Sequence, residues 1–219
     1  SPLREVVGFF APTINPGKPD LENSLTIEYP ELAAISDLKL EAFTGPDARL
    51  TKVLETLARL RKQGRRVSLH FSTHASYNPL FPELSGLHLV ADGQSTRRVA
   101  LNILDIVGAD PTPALGDVCL AGCYTAMSDI RGGFNEGLGL AEAFLILGAT
   151  SVLTAHYCVL DRETSQMIPD LYRLRLKGTD FAEALHQWVR VRLKAARRGQ
   201  QMGVGADLVQ WAAFRPICG

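Results

Sequence analysis

The chain has 219 residues, 46% of them hydrophobic and 21% charged, and its 23 basic and 23 acidic side chains cancel. This composition excludes disordered, collagen-like and coiled-coil classes, and the length fits one domain, residues 1–219, with a substantial core. No long block of one charge and no apolar run of about 18 to 20 residues occurs, so we expect neither direct nucleic-acid binding nor a membrane span. Four cysteines in a chain of this length do not indicate a disulfide framework, and a reducing cytoplasm is the expected location.

Apolar runs rich in Val, Leu, Phe and Ala alternate with stretches of helical period along the chain. This alternation is typical of an α/β fold with a mostly parallel sheet that is covered on both faces. Gly64 and Gly148 each stand where a helix should stop, because glycine accepts the left-handed conformation of a helix end. In chain order, we predict a strand at 4–11, a helix at 29–35, a strand at 38–43, a helix at 48–63, a strand at 66–72, a helix at 96–107, a strand at 117–121, a helix at 135–147, a strand at 150–155, helices at 164–176 and 181–196, and a strand at 209–214.

Two polar segments follow predicted strands at the edge of the sheet where parallel α/β folds build their sites. The strand at 66–72 is followed by Thr73-His74-Ala75, and the strand at 117–121 is followed by Gly122-Cys123. Because consecutive parallel strands are commonly neighbours, we expect the imidazole of His74 to lie beside the thiol of Cys123. The thiolate is the reactive form of cysteine, and histidine can take its proton near neutral pH. The two residues are therefore a candidate nucleophile and acid/base pair.

Structural roles compete with this interpretation. A lone cysteine is most often a small buried residue, and a lone histidine is more often structural than catalytic. Cys119 lies within a predicted strand, where burial explains it better. Zinc ligation by His70, His74, Cys119 and Cys123 is disfavoured, because residues four apart on a strand are separated by about 13 Å. The glycine-rich run at 132–139 fits neither a dinucleotide-binding nor a P-loop spacing.

The segments around both residues, and several further along the chain, match a known pattern. They are HFSTHA at 70–75, LAGCYT at 120–125, EGLGLAEAFLILGATSV at 136–152, VLD at 159–161, AEAL at 182–185 and WAAF at 211–214. His74 also precedes Cys123 by 49 residues, and caspases carry their histidine about 50 residues before the nucleophile, although the caspase signature Q-A-C-[RQG]-G is absent. Together, these segments resemble the CHAT domain, the bacterial branch of the caspase and separase clan.

The resemblance implies a caspase-like (caspase-hemoglobinase) three-layer α/β sandwich and a cysteine endopeptidase that cleaves a protein substrate. It assigns Cys123 as nucleophile, His74 as acid/base partner, and the backbone N–H groups of Ala75 and Cys123 as donors to the oxyanion. It implies no metal and no organic cofactor. The alternative is a catalytically silent caspase-like scaffold or binding module within a larger assembly.

The resemblance also implies regulated bacterial signalling or antiviral defence, with an activating partner or a fused sensor module. The loop at 126–136 directly follows the nucleophile and holds Gly132 and Gly133. Loops of this kind are often ordered by a partner. We therefore expect the isolated domain to have low activity until its partner binds.

Three positions depart from the family pattern. Ala75 stands where a glycine is usual, and His156 and Tyr157 stand where leucine and tryptophan are usual. The resemblance implies that Tyr157 and Asp161 line the substrate pocket and that Asp161 favours a basic P1 residue, since a buried carboxylate can pair with a guanidinium. Asp161 also precedes a predicted helix, so a helix N-cap is the alternative role.

Overall fold

A computed structural model describes residues 5–11, 28–64, 66–113, 115–123, 125–126, 138–156, 161–197 and 213–218. The strands are β1 (Glu5–Phe10), β2 (Lys39–Thr44), β3 (Val67–Ser72), β4 (Ala75–Ser76), β5 (Gly86–Ala91), β6 (Gln94–Asn102), β7 (Leu115–Leu120), β8 (Ser151–Ala155) and β9 (Phe214–Cys218). The helices are α1 (Glu28–Ala33), α2 (Leu50–Gln63), α3 (Ile103–Val107), α4 (Leu140–Leu147), α5 (Asp161–Leu176) and α6 (Phe181–Arg197). Within these ranges, no helix combines the length and the apolarity needed to cross a membrane.

Six strands form the central sheet, in the order β2-β1-β3-β7-β8-β9. The first five strands of this order run parallel to their neighbours, and β9 runs antiparallel to β8. β3, β7 and β8 are buried along their whole length, as expected for parallel strands with helices on both faces. The expected α/β class with a mostly parallel central sheet is confirmed.

Each face of the central sheet carries its own core. Alternate residues of β1 point to opposite faces, so Phe9 joins one core and Phe10 joins the other. The Phe9 ring stacks between Phe43 and Phe71, with both pairs of ring centroids 5.2 Å apart. Helices α2, α3 and α4 cover this first core, and helices α1, α5 and α6 cover the second. The result is a three-layer arrangement of helices, sheet and helices.

A second sheet of three antiparallel strands, β4-β5-β6, was not predicted. It lies between β3 and β7 in the chain and packs on the first core through Leu87, Leu89 and Leu101, which are fully buried. Asp92 and Gly93 form the turn between β5 and β6, and Gly93 has a φ of 69°. The alternation of buried residues in β5 and the Asp-Gly pair are the sequence signals for this hairpin.

The predicted helix at 96–107 is wrong for most of its length. Residues up to Asn102 belong to β6, and only Ile103–Val107 are helical. Val99, Ile103 and Ile106 are spaced as on one helix face, but pairing with β5 holds the first of them in a strand. Asn102 begins the helix instead, since its side-chain oxygen accepts a hydrogen bond of 2.9 Å from the Asp105 N–H.

The remaining predicted elements are confirmed within a few residues at each end, with two boundaries displaced. α4 begins at Leu140 rather than at 135, because Gly139 is extended and its N–H donates to the Glu142 carboxylate at 3.0 Å; residues 135–137 lie outside the described ranges. β9 begins at Phe214, where the predicted strand ends, and residues 209–212 lie outside the described ranges. Gly64 and Gly148 do end α2 and α4, with φ of 61° and 118°.

Candidate functional site

His74 follows the carboxyl end of β3 and is held on both sides by the backbone of His88. The His88 N–H donates to the His74 carbonyl oxygen at 2.8 Å, and the Thr73 hydroxyl donates to the His88 carbonyl oxygen. Thr73 is buried, and His74 is half-buried. The unpredicted small sheet therefore fixes the backbone from which the His74 imidazole projects.

Cys123 follows the carboxyl end of β7, which pairs with β3. His70 and Phe71 lie opposite Cys119 and Leu120 in the ladder. The pairing continues past the end of β7, because the Ala121 N–H donates to the Phe71 carbonyl oxygen at 2.9 Å. Cys123 is half-buried and packs against the core on the α5 side of the sheet.

The register of β3 and β7 relates His74 to Cys123. The ladder offset of 49 residues, from His70 to Cys119, equals the interval between His74 and Cys123 in the chain. Both residues therefore stand four positions beyond paired residues of two strands whose backbones are about 4.8 Å apart. The expectation that the two predicted strands are neighbours is confirmed.

Gly122 brings the two loops into direct contact. A Cβ atom built on Gly122 would overlap the carbonyl oxygen of Thr73 and would lie 3.6 Å from the Cβ of Ala75. The residue before Cys123 thus sits against the residues on both sides of His74. Only glycine fits this approach without a shift of the backbone.

Thr125 fastens the loop that carries Cys123. Its hydroxyl lies 3.3 Å from the carbonyl oxygen of Leu120 and 3.2 Å from that of Gly122, and it accepts a hydrogen bond of 2.8 Å from the Ala155 N–H. Thr125 is fully buried. The loop is consequently tied both to the end of its own strand and to the end of β8.

The N–H of Ala75 is directed away from β5. The His74 carbonyl points toward β5, where it accepts from His88. The N–H of the next residue belongs to the same trans peptide unit and points the opposite way. Pairing of β4 with β5 therefore leaves free of this ladder the N–H for which the family resemblance implies a role at the oxyanion.

His88 lies within electrostatic range of His74. Its Nε2 is 2.9 Å from the Ser76 hydroxyl. Burial lowers the pKa of His88 below its usual 6.5, and the positive charges of Arg98 and His74 lower it further. At neutral pH, His88 is therefore a neutral imidazole beside the candidate acid/base group.

Other predicted residues lie apart from this edge of the sheet or outside the described ranges. Cys119 and His70 are fully buried within their strands, and His70 Nδ1 is 3.2 Å from the Tyr172 hydroxyl. Tyr157 lies outside the described residues, as do 127–137, which hold most of the loop predicted at 126–136. Asp161 is the first residue of α5, and its side chain is not described. The pocket roles of Tyr157 and Asp161 remain predictions.

Neither Thr125 nor His88 is among the site residues that the sequence predicts. Thr125 is the last residue of the LAGCYT segment, and the sequence does not show which groups its hydroxyl contacts. His88 was missed together with β5, so the Asp92-Gly93 turn is the signal that leads to it.

The family model described as the CHAT domain matches residues 17–218 of the chain. The match includes His74, Cys123 and nearly all of the described elements. A search among curated proteins finds no match for the chain.

Proposed function

The chain belongs to the CHAT domain family, which is related to caspase-like cysteine peptidases, and we propose that it is a cysteine endopeptidase acting through Cys123 and His74. The observation that carries the proposal is the shared register of β3 and β7, because His74 and Cys123 each follow a paired residue of these strands by four positions. The contact of Gly122 with Thr73 and Ala75 adds support, because it keeps the two loops together.

In the first half of the reaction, His74 takes the proton of the Cys123 thiol, and the thiolate attacks the scissile carbonyl carbon. The carbonyl oxygen becomes an oxyanion, which the N–H groups of Ala75 and Cys123 stabilise. His74 then gives its proton to the leaving amine as the C–N bond breaks. A thioester between Cys123 and the acyl half of the substrate results.

In the second half, His74 removes a proton from a water molecule that attacks the thioester. The C–S bond breaks, the carboxylic acid leaves, and the proton on His74 returns to Cys123. The direction of the Ala75 N–H supports its part in both halves. The neutral state of His88 supports the role of His74, since a second imidazolium would oppose the charge that His74 acquires.

The substrate in this proposal is a protein segment with a basic P1 residue, Arg or Lys, held by Asp161 and flanked by Tyr157. The setting is a bacterial cytoplasm, in signalling or antiviral defence, and a partner or fused sensor regulates the activity. These finer points rest on the family resemblance and on the chemistry of a carboxylate that pairs with a guanidinium.

The test compares cleavage of a peptide library by the wild type with cleavage by Cys123→Ala and His74→Ala. We expect each substitution to lower kcat/KM by at least about 1000-fold, because two catalytic groups that act as a unit lose nearly all of their rate enhancement when either is removed. Cys119→Ala should retain activity, since Cys119 is buried within β7. The same library reports the P1 preference.

Thiol labelling separates the peptidase from the alternative of a silent scaffold. In the wild type, iodoacetamide should label Cys123 faster than the exposed Cys218, because only an activated thiol is largely thiolate near neutral pH. Equal labelling rates, together with no cleavage of the peptide library by the wild type, would overturn the proposal in favour of the scaffold.

A further inference from the structure

The Thr125 side chain closes the loop of Cys123. Beyond Ala121 the chain leaves the ladder between β3 and β7, and Cys123 lies between Gly122 and Thr125. The Thr125 hydroxyl lies within hydrogen-bond distance of the carbonyl oxygens of Leu120 and Gly122. A hydroxyl has one proton to donate, so these two carbonyls share it. Cys123 thus lies inside a loop whose two ends are joined by Thr125.

The same hydroxyl also anchors the loop to the neighbouring strand. It accepts from the N–H of Ala155, the last residue of β8, at 2.8 Å. The Ala126 N–H in turn donates to the Ala155 carbonyl oxygen at 2.9 Å. Both polar groups of the Ala155 backbone are therefore used to hold the end of the Cys123 loop.

We propose that Thr125 is the positioning residue for Cys123, an inference that rests on the proposed peptidase function. Thr125 is fully buried and acts through Cys123. It holds the turn between Gly122 and Thr125 at a fixed place between β3 and β8, and so sets the distance from the Cys123 sulfur to His74. Burial of the hydroxyl strengthens this role, because no water can take over its three contacts.

The chain offers a matched set of variants. Thr125→Val keeps the shape of the side chain and removes the hydroxyl, whereas Thr125→Ser keeps the hydroxyl. Thr154→Val is the control, since Thr154 is a fully buried threonine on β8 whose hydroxyl donates to the Arg215 carbonyl oxygen at 3.1 Å, outside the Cys123 loop.

The readout is the rate and the pH dependence of iodoacetamide labelling, resolved for each cysteine by mass spectrometry. In Thr125→Val, we expect Cys123 to label roughly 10- to 100-fold more slowly than in the wild type, since a displacement of about 1 Å can cost that much in a positioned pair. Its pH dependence should approach that of the exposed Cys218. Thr125→Ser and Thr154→Val should label as the wild type does.

Cys119 reports folding in the same experiment, because it is fully buried and labels only when the fold opens. If Thr125→Val does not fold, hydrogen exchange at the Ala155 amide of the wild type decides instead. Slow exchange supports the Thr125 contact, and exchange as fast as that of an exposed loop overturns it.

The outcomes separate this inference from the function on which it rests. If wild-type Cys123 labels no faster than Cys218, both the peptidase proposal and the role of Thr125 are overturned. If Cys123 labels fast in the wild type, and labels at the same rate and with the same pH dependence in a folded Thr125→Val variant, only the role of Thr125 is overturned.

Discussion

Gly122 determines how closely the two loops of the candidate site approach each other. Its Cα faces the carbonyl oxygen of Thr73 with no space for a side chain. Gly122→Ala must therefore push the Cys123 loop away from His74. We expect kcat/KM for peptide cleavage to fall about 100-fold, on the scale of a 1 Å misplacement.

The control for this prediction is Gly64→Ala at the end of α2. Gly64 has a φ of 61°, so alanine there is strained and lowers the free energy of unfolding, but it lies far from the site in the fold. Its kcat/KM should stay at the wild-type value. A Gly122→Ala variant that is as active as Gly64→Ala would show that the close approach is not required.

His88 makes the stability of the fold depend on pH. Its pKa in the folded state lies below the unfolded value of about 6.5, because burial, Arg98 and His74 all disfavour its charge. Below that value, the unfolded chain binds more protons at this position than the folded chain does. The neutral form of His88 therefore stabilises the fold above pH 6.5, and this stabilisation is lost as the pH falls toward the pKa of His88 in the folded state.

We expect His88→Gln to lose less stability than the wild type between pH 7 and pH 5.5. Glutamine keeps a polar group near Ser76 and cannot titrate. The measurement is Tm by circular dichroism at both pH values for the two proteins. An identical fall in Tm for both would exclude His88 as the titrating group.

At the scale of elements, the small sheet β4-β5-β6 is the scaffold of His74. It packs on the first core through leucines, and Leu101 of β6 is fully buried there. Leu101→Ala should lower the free energy of unfolding by about 2–5 kcal/mol, as large-to-small core changes do. Because β6 supports β5, and β5 holds residues 73 and 74, we also expect slower labelling of Cys123 by iodoacetamide.

Leu60→Ala is the matched control for the small sheet. Leu60 of α2 belongs to the same core, but it lies near Glu5 and Val67 at the amino ends of the strands, on the opposite edge of the sheet from His74. The Leu60→Ala variant should lose a similar free energy of unfolding, and its Cys123 should keep the wild-type labelling rate. Equal labelling of Cys123 in both variants, at equal folded fractions, would contradict the scaffold role.

The central sheet was predictable because its strands are continuous apolar runs bounded by turns and helix ends. β1, β3, β7 and β8 are of this kind, and each was placed within two residues. The small sheet was not predicted, because Val99, Ile103 and Ile106 have the spacing of a helix face, and this pattern competes with the hairpin signal of the Asp92-Gly93 turn. The sheet edge of His74 and Cys123 follows from the strand assignment alone. The contacts of Thr125 and His88 join residues that are far apart in the chain, so they depend on which strands lie side by side.

For the whole molecule, a buried ion pair joins the sheet to the helical layer of the second core. Asp117 of β7 accepts from the Ser151 hydroxyl at 2.7 Å and from the guanidinium of Arg175 on α5, and Arg175 also lies 5.4 Å from the Phe181 ring centroid on α6. Arg175→Met should lower the free energy of unfolding by about 3–5 kcal/mol, because it leaves the Asp117 carboxylate buried without its partner charge.

An exposed ion pair provides the comparison for Arg175. Arg59 and Glu41 are 2.6 Å apart, and each side chain is about 40% exposed. Arg59→Met should change the free energy of unfolding by about 0–1 kcal/mol, since solvent screens such pairs. Urea unfolding of both variants gives the two values, and equal losses would contradict the role of the buried pair.

The shared register of β3 and β7 depends on strand pairing and not on the number of residues between His74 and Cys123. Strand pairing fixes the ends of β3 and β7, and part of the segment between them turns at the exposed Asp92-Gly93 tip of the small sheet. Each doubling of a flexible loop there costs only about 0.6 kcal/mol. A search for relatives that demands an interval of 49 residues will miss chains with an insertion at this tip. A search for two buried strands, one followed by a histidine and the other by a Gly-Cys pair, will find them.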